Sequence, residues 1–158
     1  MRKSINIQIN GRWYALEIAP HVTLLEVLRE QLGLMGAKEA CDGGECGACT
    51  VIGDGKTILS CLTLAVEMDG KSITTIEGLA QDGDLAEIQK AFVAEGAIQC
   101  GFCTPGMVLS AKALLDRHPH PSREEVTRSL SGNLCRCTGY IKAIAAVMSI
   151  AEKESPAD

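Results

Sequence analysis

Cys41-Asp42-Gly43-Gly44-Glu45-Cys46-Gly47-Ala48-Cys49 places three thiols within nine residues at the spacing C-x4-C-x2-C, with three glycines among them. A fourth thiol, Cys61, follows after eleven more residues. This is the plant-type spacing for a [2Fe–2S] cluster. Two irons and two sulfides need four thiolates converging on a small inorganic core. A loop that wraps such a core must keep side chains out of the way, and glycine permits both close approach and positive φ. Backbone N–H groups turned inward by such a loop stabilise an anionic cluster and tune its potential. The stretch points to electron transfer.

Working outward, 158 residues suffice for one ordinary domain or two small ones. Apolar residues make up 46% of the chain and aromatics only 3%, so the core must be built from Ala, Leu, Ile and Val. A net charge of −5 with no basic run disfavours nucleic acid as a partner. Eight cysteines would suit a disulfide scaffold only behind a secretory signal. Instead Arg2-Lys3 leads directly into the alternating run Ser4 to Ile9. There is no twin arginine and no apolar run long enough to insert in a membrane. A reducing, cytoplasmic setting is expected, where clustered cysteines usually bind metal.

On the N-terminal side, residues 4–9 and 13–18 alternate as strands around the hairpin signal Asn10-Gly11. Thr23 and Glu26 form a capping box for a helix to about Leu32, stopped at Gly33. After the cysteine loop, Ala48 to Ile52, Thr57 to Leu59 and Ser72 to Ile76 are expected as short strands. The character changes after Gly78. Asp84 with Glu87 would cap a helix, and Thr104-Pro105 would open a second one to about Arg117. Ser122 with Glu125 caps a third, and a fourth starts near Tyr140. The expected class is α+β: residues 1–77 as a ferredoxin-like domain, 78–84 as a hinge, and 85–158 as a four-helix bundle.

The thiols divide four and four between these parts. Cys100-Gly101-Phe102-Cys103 and Cys135-Arg136-Cys137 fall just before two helix starts, where unpaired N–H groups and the positive dipole end favour an anion. C-x2-C alone is shared by zinc sites, dithiols and clusters, whereas C-x-C is tighter than usual zinc spacing. Two clusters at four thiolates each require the eight cysteines that are present.

Gln99 to Gly106 (QCGFCTPG) and Gly132 to Tyr140 (GNLCRCTGY) resemble the hallmark segments of the iron–sulfur subunit of molybdenum hydroxylases. That family includes xanthine dehydrogenase, aldehyde oxidoreductases and carbon monoxide dehydrogenase. Cys41 to Val51 is similar to the same family's ferredoxin loop, although Ala40 stands where many members have glycine. The resemblance implies a β-grasp N-terminal domain and a helical [2Fe–2S]-binding domain. It implies that Cys100, Cys103, Cys135 and Cys137 hold a cluster proximal to molybdopterin, and that Cys41, Cys46, Cys49 and Cys61 hold a distal one. It further implies that Gln99 hydrogen-bonds the pterin and that Cys137 is the ligand through which cluster and pterin communicate. The pterin would sit on a large partner subunit, with an FAD-binding medium subunit or another acceptor receiving single electrons from the distal cluster. Nothing in this chain is expected to make or break substrate bonds.

Competing readings give each residue a plainer role. Either thiol set would suit a structural zinc site, making the chain an interaction module, and the first loop alone would suit a free-standing diffusible ferredoxin. His118 and His120 invite a Rieske-type arrangement, but the thiols already complete the ligand count and the interleaved prolines suggest a solvated loop. Met107 and Met148 are expected in the core. Asp42 and Glu45 are expected as surface acids, and His21 in a loop.

Overall fold

The computed structural model describes residues 2–153. Strands β1 (Lys3–Ile9) and β2 (Arg12–Ile18) form an antiparallel hairpin registered from Lys3↔Ile18 to Ile9↔Arg12. The tight turn is possible because Asn10 and Gly11 both take positive φ, 51° and 80°. Alternation puts Ile5, Ile7 and Ile9 on the buried face. Burying each contributes about 1.5–3 kcal/mol relative to exposure.

Thr23 caps the next helix as expected. Its hydroxyl accepts from the Glu26 N–H, and the Glu26 carboxylate accepts from the Thr23 N–H at 2.7 Å. The helix is α-helical only over Leu24–Glu26 (α1) and then widens into a π-helical turn over Val27–Gln31. Leu24, Leu25, Val27 and Leu28 are all buried against the sheet, so packing holds the wider turn in place.

Strands β3 (Thr50–Gly53), β4 (Lys56–Leu59) and β5 (Ser72–Thr74) complete a mixed five-stranded sheet in the order β2-β1-β5-β3-β4. β5 runs parallel to β1 and antiparallel to β3, while β4 returns antiparallel to β3. The strand expected from Ala48 starts two residues later because the cysteine loop still governs Ala48 and Cys49.

Beyond Gly78 the described residues contain four helices: α2 (Glu87–Ala94), α3 (Thr104–Arg117), α4 (Arg123–Leu130) and α5 (Ile141–Lys153). Asp84 does not cap α2. Ala86 takes the cap position, its N–H donates to Gln89 Oε1 at 2.9 Å, and Asp84 instead pairs with Lys90 at 3.1 Å. The start of α3 moves by one residue: Cys103 is the cap, Thr104 the first helical residue and Pro105 the second. Ser122 and Glu125 form the expected box for α4.

The apolar residues fall into two cores. One gathers Ile5, Ile7, Ile9, Leu24, Leu28, Val51 and Ile73 around the sheet and α1. The other gathers Ile88, Phe92, Met107, Leu130 and Val147 between the helices, and it reaches back to Ile52 because α3 lies against β3. The final residues 154–158 of the expected helical domain lie outside the described residues. Among those described, no helix is long and apolar enough to cross a membrane.

Candidate metal centres

The fold brings each expected set of four thiols together, and all eight cysteines are unpaired. Cys41, Cys46, Cys49 and Cys61 line one small crevice with Lys38, Glu39, Ala40 and Asp42. Cys49 is placed by the approach to β3 and Cys61 by the end of β4, which returns beside β3. Their Sγ atoms lie 3.3 Å apart. The thiols ring the cavity without closing on a point: among the described residues, no three Cys, His, Asp or Glu side chains group as ligands of a single ion would.

The loop backbone faces these sulfurs. N–H groups of Gly43, Cys46 and Glu45 point at Cys41 Sγ and hold its thiol down at about 6. The Ala48 N–H donates to Cys46 Sγ at 3.5 Å, while burial pushes the Cys46 thiol up. Burial, with the neighbouring Cys49 thiol, pushes Cys61 up to about 12. Four sulfurs with inward N–H donors suit a dianionic or more negative group far better than four neutral thiols packed together.

The second set sits at the starts of α3 and α5. Cys103 faces Cys135, and burial followed by that contact pushes Cys103 up to about 12. Cys137 faces Cys100, whose thiol raises it. Burial acts to raise Cys135, but the Thr138 hydroxyl, the Thr138 and Cys137 N–H groups and Cys103 together bring it to about 7. Thr138 N–H donates to Cys135 Sγ at 3.4 Å. As in the first site, backbone N–H groups face the sulfurs, and here the thiols also lie at or just before the starts of helices. Cys100 and Cys137 are exposed, as is Gln99 beside them.

The histidines point elsewhere. His118 Nε2 lies 3.5 Å from Glu125 Oε2, and His120 Nδ1 lies 3.2 Å from the Ala151 carbonyl oxygen. Met107 is buried, as expected for a core residue.

Asn133 and Tyr140 belong to the site through contacts that residue patterns do not show. Asn133, only 2% exposed, donates through Nδ2 to the Gly47 carbonyl at 2.9 Å and to Thr50 Oγ1 at 3.2 Å. Tyr140 Oη accepts from the Cys135 N–H at 2.8 Å and donates to the Asn133 carbonyl at 3.1 Å. Leu134 N–H donates to the Cys46 carbonyl at 2.8 Å. One segment, 133–140, therefore supports its own thiols and grips the loop that carries the others. Nothing in local sequence signals this, because the partners lie more than eighty residues apart.

Comparison with known proteins agrees with the geometry. Residues 7–74 match the model of the 2Fe-2S iron-sulfur cluster binding domain, and residues 75–148 match that of the [2Fe-2S] binding domain. The chain is 51% identical over 150 residues to the nicotinate dehydrogenase small FeS subunit of Eubacterium barkeri, covering 95% of this chain and 96% of that one. The quinoline 2-oxidoreductase structure from Pseudomonas putida 86 superposes with a TM-score of 0.91 at 46% identity, over 96% of this chain and 94% of that chain. The aldehyde oxidoreductase structure from Desulfovibrio gigas also gives 0.91 at 45% identity, over 98% of this chain but 18% of that much longer one. Two cluster-binding domains, each with its own ring of thiols, mean two [2Fe–2S] clusters. With these relatives and this arrangement of thiols, the chain belongs to the iron–sulfur subunit family of the molybdenum hydroxylases.

Proposed function

We propose that this chain is the electron-transfer subunit of a molybdenum hydroxylase, passing single electrons from a molybdopterin site on a large partner subunit to an FAD-binding subunit or another acceptor. The observation that carries the reading is two rings of four thiols on one chain, joined by the Leu134–Cys46 hydrogen bond. A cluster supplies one-electron redox change. The chain supplies position, burial and N–H donors.

Cys41, Cys46, Cys49 and Cys61 hold the distal cluster in this reading, and Cys100, Cys103, Cys135 and Cys137 the proximal one. Exposure of Gln99, Cys100 and Cys137 on one segment pair supports a docking face toward the pterin, with Gln99 bonding it and Cys137 as the contact ligand. Exposed Phe102, Leu134 and Ile141 give that face the apolar surface a partner would cover. The first unit is read as a β-grasp domain ending at residue 77, and α2–α5 as a four-helix bundle beyond a hinge at 78–84. Eight unpaired thiols support a reducing, cytoplasmic compartment.

Metal and sulfide analysis of the purified chain tests the reading. About four irons and about four acid-labile sulfides per chain are expected, with two distinct paramagnetic signals after reduction. Colourless protein containing zinc overturns it. Purification from the native source should bring down a molybdenum-containing subunit.

A further inference from the structure

We infer that Asn133 is a positioning residue that aims the Ala48 N–H at Cys46 Sγ across the boundary between the two units, so that helical-unit packing adjusts the potential of the N-terminal cluster. The inference rests on the reading of Cys46 as a ligand of that cluster.

The Gly47–Ala48 peptide is a rigid trans plane, so its carbonyl and its N–H point in opposite directions. The carbonyl is held from three sides: by Thr50 N–H at 3.1 Å, Thr50 Oγ1 at 2.7 Å and Asn133 Nδ2 at 2.9 Å. Fixing the carbonyl outward leaves the N–H facing inward, where it meets Cys46 Sγ at 3.5 Å. The Asn133 amide has one workable orientation. A carbonyl can only accept, so the atom facing Gly47 must be the nitrogen, and Ser110 Oγ then donates to Asn133 Oδ1 at 2.7 Å. Ser110 lies in α3 and is buried. A chain of contacts thus runs from the helical core through Ser110 and Asn133 to the peptide that faces a sulfur of the other unit.

The site is built for close fit. A Cβ on Gly47 would stand 2.7 Å from Asn133 Nδ2, and one on Gly106 would stand 2.8 Å from the same atom. Both approaches require the glycines that are there. Hydrogen bonds to cluster sulfurs stabilise the more negative, reduced state and so raise the potential. Releasing the Gly47 carbonyl should therefore lower it.

The test is a redox titration of the full chain loaded with both clusters, following each reduced-state paramagnetic signal separately. Cys46→Ser is used first, to identify which signal belongs to the N-terminal cluster. If Cys46→Ser leaves both signals intact, the ligand reading fails and with it the basis of this inference. Given the assignment, Asn133→Ala and Ser110→Ala should shift the N-terminal cluster to lower potential, the first by more than the second, with the other cluster unmoved. Thr50→Val, which removes another donor to the same carbonyl, should shift it in the same direction. Should Asn133→Ala fail to fold, Ser110→Ala and Thr50→Val decide the matter. An unchanged potential in those two variants, or a shift confined to the other cluster, overturns the assignment.

Discussion

Leu134 and Cys46, eighty-eight positions apart, are joined by one backbone hydrogen bond of 2.8 Å from the Leu134 N–H to the Cys46 carbonyl. Each neighbours or is itself a thiol position: Cys46 lies in the first ring and Leu134 immediately precedes Cys135 of the second. The two rings are thus held in register by peptide groups. Leu134 is 58% exposed and makes this bond through its backbone N–H, not through its side chain.

Gly47→Ala is expected to break this junction. The added Cβ would stand 2.1 Å from the Gly132 carbonyl oxygen, at a φ of +69°. Steric overlap costs about 1–3 kcal/mol, and left-handed backbone adds roughly 1–2 kcal/mol. Gly132→Ala, with open space and no positive φ, should be close to neutral. Urea denaturation of the two variants side by side checks the contrast.

Tyr140→Phe removes the hydroxyl that accepts from the Cys135 N–H and donates to the Asn133 carbonyl. Leaving that N–H without a partner should destabilise by about 1–3 kcal/mol. Hydrogen exchange at the Cys135 amide should accelerate, while exchange in β1 stays unchanged.

Phe92→Ala empties the centre of the helical core, where Phe92 is 1% exposed. A loss of about 3–5 kcal/mol is expected. Its neighbour Val93 is 59% exposed, and Val93→Ala should stay within about 0.5 kcal/mol in the isolated chain. Thermal or urea midpoints distinguish these outcomes.

The two capping boxes should make stability fall in acid. The Thr23 N–H, then its hydroxyl, hold Glu26 below its ordinary value, and Ser122 does the same for Glu125. A carboxyl whose folded pKa is lowered favours the folded state above its unfolded value. That contribution is lost as pH falls through the lowered folded value. A Glu26→Gln/Glu125→Gln double variant should be less stable than the parent at neutral pH, with the gap closing as the pH falls below the ordinary glutamate range and through the lowered folded values. A gap that persists unchanged into acid would contradict this origin.

The hairpin and both capping boxes were legible because their signals are local. Asn10-Gly11 needs only two residues to dictate a turn, and Thr23 or Ser122 needs only the residue three positions on. Where local preference competed with packing, the residue pattern was less faithful. Asp84 is a good cap by type, but burial of Ile88 and Phe92 sets the start of α2 beyond Ala86 and leaves Asp84 to Lys90. Likewise the α1 pattern continues smoothly through Val27, yet the backbone widens there, with four of the five positions Leu24–Leu28 buried.

By itself the sequence set out the chemistry on offer: one thiol loop at plant-type cluster spacing, glycines where that loop must wrap closely, and two further thiol pairs just before helix starts, which resemblance to a family reads as a second cluster site. The spacing within the first loop and within each later pair is a property of a short segment, and there the residues alone suffice. Only the folded chain decided how the two rings are fixed to one another. Leu134 on Cys46, and Asn133 on Gly47 and Thr50, are contacts between segments more than eighty residues apart. They form where α3 packs on β3 and α4 packs on α3, which sets the residues just after α4 against the first cysteine loop. A hydrogen bond of that kind leaves no periodicity in the chain. It is set by the closing of the core.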